Sequence, residues 1–417
     1  MPLELKYWQT YDYLDRKKGM STTRVEELAL QRKRFAHLSD EEFRFMLQQV
    51  DGRQRTRDKL PTFAAIDDWW YPVRLSCEQC SSEATARYKA QLIPPLLQAE
   101  KNSAWVFTDL TGGYGVDTFF MSEHAAEAHY VERNEELCRI VSHNFQLTRP
   151  QVQIHHTDSI EYLQVMESSD VIYIDPARRD QHGGKVFRLE DCDPNVVELL
   201  PTLTAKSNLL MIKLSPMLDI TQALHSLAGT WDVHIVAVKN EVKEVLLLSS
   251  PNCYHPNGYQ RDIEGIVHAI NLPATHTFSF SKQEEQDAQC QLFDQSRKQL
   301  IEPNNYLYEP NAAIIKAGAF KLIAQRYNLC KMAPHTHLYL ADHFVEDFPG
   351  RVWQITETNI KDTKNISANI MTRNYPLTPE QLRKKLKIKD NDTYTIIGAR
   401  LADKPTLFLC KKIWTDY

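Results

Sequence analysis

A chain of 417 residues, 42% hydrophobic and 25% charged, has the balance of a folded protein of roughly two to four domains, and it holds no apolar run of about eighteen residues to span a membrane. Its formal net charge of −5 excludes a binder of nucleic acid that is basic along its whole length, so any such surface must be local. The opening Met1-Pro2-Leu3-Glu4-Leu5-Lys6-Tyr7 has no signal-peptide pattern, and the scattered cysteines, with Cys138, Cys330 and Cys410 inside apolar runs, read as free thiols of a reducing cytoplasm.

Residues 1–95 read as an N-terminal helical domain, with candidate helices over Arg24 to Phe35 and Asp40 to Val50; Ser39 or Asp40 caps the second, and acids fill its first turn. Arg32-Lys33-Arg34 and the basic stretch from Arg53 to Lys59 precede Trp69-Trp70-Tyr71. Basic residues near aromatics suit a nucleic-acid surface. Acids are interspersed here, however, and the aromatic triplet reads better as a packing anchor against the next domain. Cys77-x-x-Cys80 lacks a second pair at zinc spacing, so no metal is expected there or elsewhere.

From Trp105 onward, short apolar strands alternate with helical segments, the pattern of a doubly wound α/β domain. Trp105-Val106-Phe107 leads into Asp109-Leu110-Thr111-Gly112-Gly113-Tyr114-Gly115 and then a helix. A strand that ends in a carboxylate and turns through glycines brings bare backbone N–H groups and a helix N-terminus up to a ligand. A dinucleotide loop asks for G-x-G-x-x-G, and Thr118 stands where the third glycine is required. The spacing met here is an acid followed by small residues at every second position: Asp109, Thr111, Gly113, Gly115.

The next strand, His129 to Asn134, carries Glu132 about twenty residues after the glycines, where doubly wound folds bind a ribose; a first-turn acid or helix cap is the competing role. Asp158 ends the strand beginning at Val152 and equally suits the cap of a helix from Ser159. The buried run Asp170 to Ile174 empties into Asp175-Pro176-Ala177-Arg178-Arg179. Proline fixes its own φ and extends the residue before it, while the arginine pair offers planar forks for phosphate. Asn208 to Leu214 follows, with Lys213 facing the Asp175 crevice or snorkelling to the surface. Val233 to Val238 and Glu244 to Ser250 read as a closing antiparallel pair joined through 239–243.

Turn-rich segments after residue 251 mark a new unit. Thr277 to Phe280 reads as a strand and Ala312 to Tyr327 as a helix. Strands are expected at Leu338 to Leu340, Val352 to Ile355, Thr393 to Ile397 and Thr406 to Cys410. The helix from Thr378 to Leu386 carries Arg383, Lys384 and Lys385, with Lys387, Lys389, Lys411 and Lys412 beyond it. Such a concentration in an acidic chain suits a phosphate-facing surface or a solvated helix face.

The loop at 109–115 with Glu132 and Asp158 resembles the class I S-adenosylmethionine-dependent methyltransferases, and Asp175-Pro176 resembles motif IV of the base-modifying members. That resemblance implies a Rossmann-like domain over 96–251 with a mostly parallel seven-stranded sheet. S-adenosylmethionine is then held by Asp109, Thr111, Gly112, Gly113, Gly115, Glu132 and Asp158, the last meeting the adenine amino group. Asp175, Pro176, Arg178 and Arg179 form the catalytic acceptor site. Ala177 stands in place of the second proline of that motif, and Arg178 in place of an aromatic. Neither the Asp175 loop nor Lys213-Leu214-Ser215-Pro216 holds the cysteine that methylation of a pyrimidine carbon requires, so nitrogen or oxygen is the expected acceptor.

With Glu309-Pro310-Asn311-Ala312-Ala313-Ile314-Ile315-Lys316 and the α+β tail, the chain resembles a bacterial RNA methyltransferase family. Its members carry a small ferredoxin-like region, here 252–335, and a C-terminal THUMP-like domain, here 336–417. RNA is the partner this implies. Methylation of a small molecule or protein, and non-catalytic RNA binding on the same fold, stay open, as does the oligomeric state.

Overall fold

The computed structural model describes residues 25–97, 104–178, 188–227, 229, 231–249, 265–274, 276–360, 366–391 and 393–415, with backbone alone at Arg178. The chain divides into two compact units, one of residues 1–228 with 248–259 and one of 229–247 with 260–417.

In the first unit, helices α1 (Val25–Ala29), α2 (Asp40–Thr56), α3 (Pro61–Ala65), α4 (Arg74–Gln79) and α5 (Glu83–Leu97) precede the sheet. The helix expected from Arg24 breaks instead into α1 and a 3₁₀ turn at Arg32–Phe35, where the Arg32 guanidinium donates to the Phe35 and Leu38 carbonyls. Arg24 itself lies outside the described residues. Ser39 caps α2 in a capping box with Glu42, and the helix runs six residues past Val50. Gly52 permits this extension, since a Cβ there would come within 2.3 Å of the Tyr71 side chain.

Five parallel strands follow: β1 (Val106–Asp109), β2 (Glu127–Glu132), β3 (Val152–His156), β4 (Ser169–Ile174) and β7 (Ser207–Leu214). They lie in the order β3-β2-β1-β4-β7. Helices α6 (Val116–Met121), α7 (Glu135–Thr148), α8 (Ser159–Val165), α9 (Val196–Ala205) and α10 (Ile220–Ser226) alternate with them. A two-residue ribbon, β5 (Ala177–Arg178) against β6 (Cys192–Asp193), stands beyond β4 and has no signal in the sequence. Its strands are too short to show a period.

The aromatic triplet does anchor packing. Trp69, Trp70 and Tyr71 are buried, the Trp69 indole N–H donates to Tyr114 Oη at 2.9 Å, and Asn144 bonds both the N–H and the carbonyl of Trp70. The N-terminal helices thus share one hydrophobic core with the sheet, from Leu60 and Phe63 to Phe107, Phe119 and Tyr130.

In the second unit β8 (Asp232–Val238) and β9 (Glu241–Ser249, as far as Leu247) form the expected hairpin, but only Lys239-Asn240 joins them. Both residues have positive φ, as a tight two-residue turn requires. Strand β10 (Ile266–Leu272) runs parallel to β8, and β11 (Thr277–Ser281) runs antiparallel to β10. Helix α11 (Lys282–Asp287) leads to an eight-stranded sheet ordered β12-β14-β15-β13-β16-β19-β18-β17. Its strands are β12 (Gln291–Leu292), β13 (Tyr306–Pro310), β14 (Cys330–Ala333), β15 (Thr336–Ala341), β16 (Gly350–Thr358), β17 (Asn369–Arg373), β18 (Tyr394–Leu401) and β19 (Lys404–Thr415).

The helix expected over Ala312 to Tyr327 is two: α12 (Ala312–Ala317) and α13 (Leu322–Arg326), parted by Gly318 at φ +79°. Glu309 of the Glu309-Pro310-Asn311 segment is a structural clamp. Its buried carboxylate accepts from Arg351 at 2.8 Å and Arg373 at 2.6 Å, and Asn311 caps α12. Helix α14 (Pro379–Leu386) forms as expected, capped by Thr378.

Candidate functional site

The carboxyl ends of the five parallel strands open into a cavity of about 300 Å³, walled on one side by Ser76, Gln79, Cys80 and Ser81 of the N-terminal helices. Asp109, Thr111, Gly112, Gly113, Glu132, Asp158 and Asp175 all line it, so seven of the residues singled out in the sequence meet at one place.

The loop after β1 is shaped by its glycines. A Cβ on Gly112 would lie 2.1 Å from the Tyr130 ring, and Gly113 and Gly115 sit at φ +53° and +76°. Gly115 does not line the cavity; it caps α6 and donates its N–H to the Gly112 carbonyl at 2.8 Å, so its part is to close the turn. Glu132 at the end of β2 accepts from the Gly113 N–H at 2.9 Å and from the Asn134 N–H at 2.8 Å. The carboxylate therefore stands at the glycine loop and fixes it. Asp158 caps α8 through the Ile160 N–H at 2.8 Å while still facing the cavity, so the cap and the cavity position coincide in one residue.

Asp109 is buried and accepts from Thr118 Oγ1 at 2.6 Å and the Thr111 N–H at 3.0 Å. Burial pushes its carboxyl up to about 7; these two hydrogen bonds oppose the rise, and the neighbouring Asp117 and Asp175 carboxylates add to it.

Asp175 follows β4, and its N–H donates to Thr111 Oγ1 at 2.7 Å, tying the acceptor loop to the glycine loop. Pro176 is buried behind it. Arg178 contributes its backbone to β5; its side chain and all of Arg179 lie outside the described residues. Lys213 turns into the crevice rather than snorkelling, and its ammonium donates to Asp175 Oδ2 at 2.5 Å and to Ser81 Oγ at 3.1 Å.

Behind Lys213 lies a cluster that sequence reasoning missed. Asp117 on α6 accepts from Ser81 at 2.7 Å and Tyr173 at 2.8 Å, and it pairs with Lys89 at 3.2 Å. Burial works against the charge of Asp117, but the Lys89 and Lys213 cations and the two hydroxyls hold its carboxyl below the ordinary range. Lys89 is fully buried on α5. A lysine on a helix otherwise reads as solvated, and only its place among the apolar residues of Glu83–Leu97 hints at burial.

Cys77 is buried and Cys80 lines the cavity; burial pushes the Cys77 thiol up to about 12, which makes it a poor nucleophile.

Residues 306–349 match a ferredoxin-like domain family, and residues 350–412 match a family described as THUMP domain-like. Among solved structures, the chain is 30% identical to a "putative methyltransferase from Porphyromonas gingivalis W83", with a TM-score of 0.81 over 99% of each chain. The chain belongs to that protein's family. The fold is accordingly the class I methyltransferase fold, with a helical region before it and a THUMP-like domain after it.

Two further structures overlap in part. A "putative class i s-adenosylmethionine-dependent methyltransferase" of Listeria monocytogenes is 12% identical with a TM-score of 0.38, over 63% of this chain and 91% of that one. The 16S rRNA N2 G1207 methyltransferase of Thermus thermophilus, solved with AdoMet and guanosine, is 18% identical with a TM-score of 0.34, over 43% and 46%. None of the curated proteins matches the chain by sequence.

Proposed function

We propose that this chain is an S-adenosylmethionine-dependent methyltransferase acting on a nitrogen or oxygen of an RNA nucleotide. One observation carries the cofactor: carboxylates at or just beyond the ends of β1, β2, β3 and β4, namely Asp109, Glu132, Asp158 and Asp175, line a single cavity. A ligand with a sulfonium, an ammonium and ribose hydroxyls fits that lining, and a dianionic pyrophosphate does not. Asp109 suits the ammonium, Glu132 the ribose and Asp158 the adenine amino group, with Thr111, Gly112, Gly113 and Gly115 shaping the loop beneath them.

When bound, the cofactor would supply an electrophilic methyl carbon with a neutral thioether as its leaving group, so the acceptor needs only a lone pair aimed at that carbon. The protein's own contribution is orientation. Asp175, as a carboxylate, accepts a hydrogen bond from an N–H or O–H on the acceptor and aims its lone pair into the cavity. Pro176 stiffens the loop that carries it. Arg178 and Arg179 follow where a phosphate of the acceptor strand would be gripped.

The THUMP-like match and the exposed Lys384, Lys385, Lys387, Lys389, Lys411 and Lys412 support RNA as the partner. Free thiols at Cys77, Cys138, Cys330 and Cys410 fit a reducing cytoplasm, and among the described residues no helix is long and apolar enough to cross a membrane.

Calorimetric titration with S-adenosylmethionine, repeated on Glu132→Ala, tests the cofactor site. We expect binding in the parent protein and a loss of about ten- to a hundredfold in the variant. Incubation of labelled cofactor with total cellular RNA, with protein extract and with a metabolite extract then separates RNA from the other acceptor classes.

A further inference from the structure

We propose that Lys213 is a positioning residue, which fixes the acceptor carboxylate Asp175 and is itself fixed by Ser81, Asp117 and Lys89 of the N-terminal half. This rests on the methyltransferase reading and names the machinery of its acceptor side.

The groups form a chain of alternating charge running inward from the cavity. Asp175, about one-third exposed, receives the Lys213 ammonium on Oδ2 at 2.5 Å. Lys213 also donates to Ser81 Oγ at 3.1 Å and lies 3.9 Å from Asp117 Oδ2. Ser81 donates onward to Asp117 Oδ2 at 2.7 Å, Tyr173 donates to the same oxygen at 2.8 Å, and fully buried Lys89 stands 3.2 Å from Asp117 Oδ1. Two positive and two negative charges thus alternate, and exposure falls from the cavity to the core.

A flexible lysine at a solvent-open crevice would wander among rotamers. Here its ammonium is oriented by acceptors on two sides, so the carboxylate it grips is held as well. The Asp175 N–H is already committed to Thr111 Oγ1. Backbone and one carboxylate oxygen are therefore both fixed, which leaves Oδ1 to meet the acceptor. An ionised carboxylate only accepts hydrogen bonds. The acceptor group must then bring a hydrogen of its own, an amine N–H or a hydroxyl, rather than a bare ring nitrogen. The methyl carbon bonds to that nitrogen or oxygen as its bond to sulfur breaks and the electron pair goes to sulfur, and the acceptor sheds its hydrogen as a proton to Asp175 and thence to water, so atoms and charge balance.

Positioning through another residue predicts non-additivity. With the full-length protein, labelled S-adenosylmethionine and total cellular RNA, Lys213→Ala should lower kcat about a hundredfold while leaving cofactor affinity within about threefold. Lys213→Arg should recover most of that loss. In an Asp175→Ala background, Lys213→Ala should cost at most about threefold more. Additive losses, or a parallel fall in cofactor affinity, would overturn the proposal.

A thermal-unfolding double-mutant cycle on the same residues, read without substrate, is the second measurement. Coupling between Lys213 and Asp175 is expected, and its absence would overturn the anchor whatever the activity shows. If the parent protein transfers no methyl to RNA while the coupling stands, the RNA reading falls and the anchor survives.

Discussion

The two halves of the cavity are built on opposite principles. On the cofactor side, one short run of chain, Asp109 to Tyr114, lines the cavity continuously: its turn is set by glycine backbone, and Glu132 braces it through the Gly113 N–H. On the acceptor side, no local run exists. Ser81 and Lys213 of β7 meet across 132 positions of sequence, and the groups around them come from α5, α6, β4 and the loop after β4. Backbone-built walls tolerate varied side chains provided the turn forms, whereas a charge network fails as a unit when one member is removed.

The largest effect should come from breaking that network at its buried end. Loss of the fully buried Lys89 in Lys89→Met strips the buried Asp117 of its nearest cation and should destabilise the first unit by about 3–5 kcal/mol in urea unfolding. Lys89→Met combined with Asp117→Asn removes both charges and should recover most of that stability. A single variant as stable as the parent would erase the contrast between the two halves.

The contrast also explains what can be read from the sequence. Strands β1 to β4, β7 and the β8–β9 hairpin are legible because each is a short apolar run bounded by turn residues, and the acids at their ends mark the crevice. Asp109, Glu132, Asp158 and Asp175 follow from that logic and do share a cavity. Lys89 and Asp117 do not, because on a helix a charge reads as solvated unless its long-range partner is known. Breaks such as Gly318, which divides α12 from α13, depend on a positive φ that a helical pattern continues across. Edge strand β17, paired on one side only, carries too weak an alternation to stand out.

The cofactor side has its own signature in pH. Burial raises Asp109 to about 7 in the unliganded chain, and a ligand ammonium favours its ionised form. Cofactor affinity should therefore rise up to about tenfold between pH 6 and pH 8, with protons released on binding. Calorimetry in buffers of differing ionisation enthalpy reads that release. The sign for stability is opposite: a carboxyl raised from 3.8 to about 7 on folding makes the unliganded chain less stable as pH climbs through that interval. Asp109→Asn should flatten both dependences. An affinity independent of pH in the parent would place the ammonium elsewhere.

The smallest effect separates the cavity from the second unit. In α14 and just beyond it, Arg383 is paired with Asp390 at 2.6 Å, while Lys384, Lys385 and Lys387 are exposed. If these lysines meet phosphates, replacing all three with alanine should lower RNA affinity about three- to tenfold at physiological salt. It should also reduce the slope of log affinity against log salt by about 2, since each phosphate left unneutralised on a single strand accounts for about 0.7. S-adenosylmethionine affinity should not change, because no residue of the cavity lies in that unit. An unchanged salt slope would return α14 to an ordinary solvated helix and leave RNA recognition to the acceptor loop alone. The cavity would then be the seat of both chemistry and specificity, and the acceptor-side network its sole determinant.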